Sequence, residues 1–158
     1  MQQAQKTPEQ QGMGTTGVLV VVENKKCHIG WVGDSRVYTL KNKQVNQETV
    51  DHTMLQELVN KGAISAETAK NANTKNLLSQ AIGVREEITV DTATIAIDSG
   101  DTIMLSTDGL HDFITEQEIS EYLSMFTDTQ DVCHDMIYRA MAKNSRDNLT
   151  VGLIKLQD

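Results

Sequence analysis

Four aspartates occupy one kind of place in this chain: Asp34, Asp108, Asp112 and Asp147. Each lies at or just beyond the end of a strand-like segment, in a loop with small or polar neighbours. The clearest case is Leu105-Ser-Thr-Asp-Gly-Leu-His-Asp112, where an apolar run delivers Asp108 at its tip. Gly109 follows and permits a tight turn, and Asp112 returns four positions later. Carboxylates gathered at one rim of a sheet repel one another and resist ionisation. A hard divalent cation, which takes oxygen ligands, removes that cost. Taken singly, each aspartate reads as an ordinary turn residue. Asp51, Asp91, Asp98 and Asp101 are read as turn and surface residues, and Arg36 as a strand-surface cation.

The elements that must position these carboxylates follow from periodicity. Val18–Glu23 is a continuous β-branched run and reads as a strand buried on both faces. Asn24-Lys25-Lys26 turns into Cys27–Val32, and Gly33-Asp34-Ser35-Arg36 interrupts before Val37–Lys41. With Gln44–Thr49 these predict an antiparallel meander. Met54, Leu55, Leu58 and Val59 recur at helical spacing up to Gly62. Ser65 caps a second, short helix. Asn71–Asn76 is a polar loop. Ile88–Ile97 and Asp101–Ser106 read as strands. Thr115-Glu-Gln-Glu118 is a capping box opening a helix with Ile119, Tyr122 and Leu123 inward. Thr129–Lys143 is a further helix, carrying Val132, Met136, Ile137 and Met141. Leu149–Leu156 is a last strand. Hairpins dominate without strand–helix alternation, which predicts antiparallel sheets covered by helices.

The totals limit the function classes. At 158 residues and a net charge of −8, the chain is one domain without a surface suited to nucleic acid or anionic membrane. No apolar run approaches the ~20 residues of a membrane span. No secretory signal opens it, which with Cys27 and Cys133 as buried free thiols predicts a cytoplasmic protein. Residues 1–11 read as a frayed tail, and 12–158 as the folded unit. His28, His52, His111 and His134 lack ligand spacing and read as structural or surface residues.

Three segments together resemble the metal-dependent type 2C serine/threonine protein phosphatases: Trp31-Val-Gly-Asp34-Ser-Arg36, Ser106-Thr-Asp108-Gly-Leu-His-Asp112 and Asp147-Asn148-Leu-Thr150. Gly12-Met-Gly-Thr-Thr16 and Asp51-His52-Thr53 resemble further stretches of that family, in its order and roughly its spacing. The resemblance implies an α+β fold, an antiparallel β-sandwich flanked by helices in four α-β-β-α layers. It implies Mn or Mg in a cleft, and water attacking the phosphorus of a phosphoserine or phosphothreonine protein substrate. Asp108 and Asp147 would bind the paired metals. Asp34, with Asp108 and Asp112, would form a looser third site. Asn148 would orient Asp147, and Gly109 would shape the Asp108 turn.

The family pattern opens with an Asp-Gly-Met-Gly-Gly-His loop whose aspartate bridges the metals, and no Asp-Gly pair precedes Asp34 here. The expectation is a domain short of the family's first strands and first helix, and a weak or inactive phosphatase by itself. Exposed sheet edges would favour a homodimer or strand exchange. Two further readings stand beside this one: a degenerate phosphatase-like binding module, and one half of a split enzyme completed by another chain.

Overall fold

A computed structural model describes residues 7, 12–70, 72, 77–84, 86–125 and 128–157. Apart from Thr7, the expected tail over 1–11 lies outside the described residues, as does the polar loop 71–76 apart from Ala72.

The strands are β1 (Gly17–Glu23), β2 (Lys26–Val32), β3 (Arg36–Lys41), β4 (Gln44–Gln47), β5 (Asp91–Ala96), β6 (Thr102–Ser106) and β7 (Val151–Lys155). The helices are α1 (Met54–Asn60), α2 (Ala66–Lys70), α3 (Asp108–His111), α4 (Glu116–Met125) and α5 (Thr129–Ala142). One antiparallel sheet has the order β1-β2-β5 and the other β4-β3-β6-β7. The fold is α+β, with two antiparallel sheets and helices.

Side-chain alternation explains how the four-stranded sheet is buried. Val37 on β3 and Ile103 on β6 enter a cluster with Cys27, Ile29 and Trp31 of β2, so the two sheets share an apolar core. Tyr38 and Leu40 on β3 and Met104 on β6 point the other way, against Ile119 and Leu123 of α4 and Val132, Met136 and Ala140 of α5. Period two in the strands meets periods of four in the helices. The capping box starts α4 as expected: Glu118 N–H donates to Thr115 Oγ1 at 3.2 Å, and Thr115 N–H to Glu118 at 3.0 Å. Met141 departs from its expected inward place and is exposed.

Two expectations need correction. The meander is broken, because β2 pairs with β1 and β5 whereas β3 pairs with β4 and β6. Trp31 and Val37 reach the same core from opposite sheets, so the strands either side of Gly33–Ser35 stack rather than pair. Second, β1 is not buried on both faces: Leu19 is 66% and Val21 47% exposed. Its β-branched run records strand propensity, not depth. The strand at Ile88–Ile97 begins at Asp91, and the last strand spans Val151–Lys155.

Candidate functional site

Register gathers the carboxylates. Arg36 pairs with Ser106, and Ser106 with Val151, so the start of β3, the end of β6 and the start of β7 form one rung. Asp34 lies two residues before that rung, Asp108 two after it, and Asp147 four before it. Three segments distant in sequence therefore leave the same end of one sheet, each with an aspartate.

Asp108 and Asp147 are secured alike. The Asp108 carboxylate accepts the N–H of Gly109 at 2.9 Å, and that of Asp147 accepts the N–H of Asn148 at 2.7 Å. Asn148 thus meets Asp147 through its backbone. The two loops touch at Gly109: a Cβ there would stand 2.3 Å from the Asn148 carbonyl oxygen and 3.2 Å from Asp147 Cβ. Only glycine lets the Asp108 turn approach that closely. Thr107 Oγ1 accepts the N–H of Thr150 at 3.0 Å, and Ser145 Oγ donates to the Gly109 carbonyl at 2.7 Å, completing the seam.

Asp34 occupies the corner where the chain passes from one sheet to the other. Gly33 adopts φ +103°, and a Cβ on it would strike Thr16 Cγ2 at 2.4 Å. Thr16 and Ser35 join hydroxyls at 2.9 Å on the far side of the turn. Asp34 is 9% exposed. Burial, then the negative charges of Asp108 and Asp51, push its carboxyl up to about 6, against weaker opposition from its own backbone and Arg36.

Asp34, Asp108 and Asp112 line one cavity of about 650 Å³, a size suited to a small-molecule or peptide site. Leu55 and Val59 of α1 and Phe113 after α3 supply apolar wall, and Lys70 ends α2 at its margin. Asp112 is the C-cap of α3. Asp147 is not among the lining residues; it stands behind Gly109.

Sequence reasoning missed part of this wall. Arg36 is no surface cation: its Nε donates to Asp51 Oδ1 at 2.9 Å, its Nη2 to Asp51 Oδ2 at 2.6 Å, and its Nη1 to Tyr38 Oη at 3.0 Å. Burial works against the Arg36 charge, and Asp51 more than offsets it, so the guanidinium stays protonated. Asp51 is accordingly an ion-pair partner rather than a surface turn residue. The signal was present in alternation, since Arg36, Tyr38 and Leu40 share a strand face. Asp91 keeps a half-exposed side chain at the surface, and its Oδ2 lies 3.2 Å from His52 Nε2. His111 is buried beside Ser106, 3.0 Å from its hydroxyl. Burial foremost, with the Arg36 charge, lowers its pKa to about 3, leaving a neutral ring.

The donor set suits a hard divalent cation. All the candidate ligands are carboxylates, and Asp34 is held among like charges that such a cation would neutralise. Among the described residues no three His, Cys, Asp or Glu side chains converge tightly enough to enclose an ion. Asp34, Asp108 and Asp112 line the cavity instead as separate carboxylates.

Residues 1–146 match the family model for protein phosphatase 2C. The chain is 37% identical over 144 residues to the serine/threonine phosphatase stp of Listeria monocytogenes, covering 91% of this chain and 57% of that protein. Its structure is similar to that of the Mycobacterium tuberculosis serine/threonine phosphatase PstP/Ppp, with TM-score 0.92 and 29% identity over 99% of this chain and 66% of that one. It is also similar to the catalytic domain of the phosphatase PstP in complex with two manganese ions, with TM-score 0.86 and 29% identity over 99% of this chain and 65% of that one. The chain therefore spans well under two thirds of the curated relative it matches.

Proposed function

The chain belongs to the protein phosphatase 2C family, and from that premise we propose that residues 12–158 hydrolyse phosphoserine and phosphothreonine in protein substrates with Mn or Mg. The observation that carries this reading is the shared rung: Asp34, Asp108 and Asp147 leave one sheet end, and the first two face one cavity. Asp108 and Asp147 would hold the paired ions, and Asp34 with Asp108 and Asp112 a looser third. When bound, such ions supply Lewis acidity toward phosphoryl oxygen and acidify water.

The chain's own residues do the positioning. Gly109 keeps the Asp108 and Asp147 loops in contact, and Asn148 fixes the Asp147 carboxylate through its amide. Arg36 is committed to Asp51 and shapes the wall. Leu55, Val59 and Phe113 offer apolar surface to residues flanking the phosphorylated one. In the reaction, a P–O bond forms to water and the P–O bond to the serine or threonine oxygen breaks. That oxygen leaves with a proton, and inorganic phosphate is released.

Buried Cys27 and the free thiol of Cys133 suit the reducing cytoplasm. No described helix is long and apolar enough to cross a membrane. The exposed face of β1 suits pairing with a second copy of the chain.

Phosphate release from a phosphothreonine peptide, with and without Mn, tests the activity. Metal-dependent release that Asp108→Asn abolishes supports it. Release unchanged by that substitution counts against it. A second reading, a module that binds metal or phosphoprotein without turnover, draws on the aspartates that leave one sheet end. It predicts Mn binding by calorimetry with no phosphate released.

A further inference from the structure

Building on the metal reading, we infer that His52 is a positioning residue for Asp34, acting through the backbone of Gly33. Gly33 and His52 exchange two hydrogen bonds. Gly33 N–H donates to His52 Nδ1 at 3.1 Å, and His52 N–H donates to the Gly33 carbonyl at 2.9 Å. Gly33 has no side chain to anchor it, and its φ of +103° and closeness to Thr16 admit no other residue. The imidazole takes over that anchoring role one residue before Asp34.

The ring is itself fixed on each side. A backbone N–H can only donate, so Nδ1 must be the unprotonated acceptor. The ring proton then sits on Nε2 and is donated to Asp91 Oδ2, 3.2 Å away. Trp31 stacks on the ring with centroids 6.3 Å apart, and Trp31 Nε1 donates to the Val50 carbonyl at 2.9 Å. His52 is 7% exposed. The line Asp91, His52, Gly33 joins the first residue of β5 in one sheet to the corner leading into the other.

Asp34 needs such a hold. Its carboxylate is buried near the like charges of Asp108 and Asp51, and a slack turn would let it swing toward water. An acceptor at Gly33 keeps the backbone from following. Groups that orient metal ligands without touching the ion change affinity by about 10–100-fold when removed.

Two substitutions separate positioning from bulk structure. In His52→Asn, Oδ1 stands near the place of Nδ1 and still accepts from Gly33. In His52→Gln, the amide reaches toward Asp91 and leaves Gly33 without its acceptor. Both lose the ring and its stacking on Trp31, so a merely structural role predicts equal effects. Mn affinity by calorimetry and exchange of the Gly33 amide by NMR are the readouts, alongside urea midpoints. The expected result is a Mn dissociation constant raised about 10-fold in His52→Gln, with faster Gly33 exchange, and near wild type in His52→Asn. Equal Mn affinities in the two variants overturn the inference. Should either fail to fold, Asp91→Ala decides, since Asp91 is half exposed: a smaller rise in the same constant supports the inference and an unchanged one overturns it. Absence of Mn binding in the wild-type protein would instead overturn the metal reading, and this inference with it.

Discussion

Gly109 and Asn148 stand so close that a Cβ on the first would lie 2.3 Å from the carbonyl oxygen of the second. The obstacle is backbone, not the end of a flexible side chain, so one loop must move. Gly109→Ala should therefore part the Asp108 and Asp147 loops. Overpacking of this kind costs about 1–3 kcal/mol. Urea denaturation should show that loss, and calorimetry a weaker response to Mn. Wild-type Mn affinity in a folded Gly109→Ala protein would mean that the two loops do not share an ion.

Asp34 should trade stability against metal binding. Asp34 is 9% exposed, and its carboxylate feels the like charges of Asp108 and Asp51. Asp34→Asn removes a buried like charge while keeping the shape. At pH 7.5 the metal-free protein should gain on the order of 1–2 kcal/mol, and Mn affinity should fall. Opposite signs in the two measurements distinguish a strained ligand from a structural aspartate, for which both would fall.

Much of this is legible in the sequence. Capping box, helix stripes and strand alternation fix the elements because they are local. The carboxylate set was legible through its repeated placement at strand ends. What sequence could not show was pairing across distance. Nothing local in Trp31–Val37 says that the strands either side of Asp34 enter different sheets, since a stack and a hairpin bury the same alternating residues. Arg36 and Asp51 were misjudged for the same reason. Fifteen positions separate them, and each looks like a surface charge until the other is in view. The solvent-facing side of β1 was invisible because valine and leucine mark a strand without saying what covers it.

Acid should weaken the α4–α5 contact. Glu118 receives hydrogen bonds from Lys143 at 2.6 Å and Arg139 at 3.0 Å, as well as from Thr115. Lys143 foremost, then the Thr115 amide, lower its pKa from 4.5 to about 2. The folded state thus holds this proton less tightly than the unfolded chain. The contribution is fully present above about pH 4.5 and is lost as pH falls toward 2. Glu118→Gln should cost about 1 kcal/mol at pH 7 and flatten the urea-midpoint profile over that window. A profile parallel to wild type would remove Glu118 from the acid response.

The outward face of β1 should govern self-association. β1 is an edge strand among the described residues, and Leu19 and Val21 project from it opposite Gly30 and His28. They are 66% and 47% exposed. A strand edge with an apolar, uncharged face is a template for pairing with another chain. Two copies related by a two-fold axis can satisfy each other through the same edge. Leu19→Lys with Val21→Lys should lower the mass seen by light scattering at high concentration. Because both side chains are solvent-facing, stability should move by only about 0.5 kcal/mol per site. A wild-type protein that stays monomeric at high concentration would show that this face is tolerated in water and pairs with nothing. An association that survives both lysines would place the contact elsewhere on the molecule.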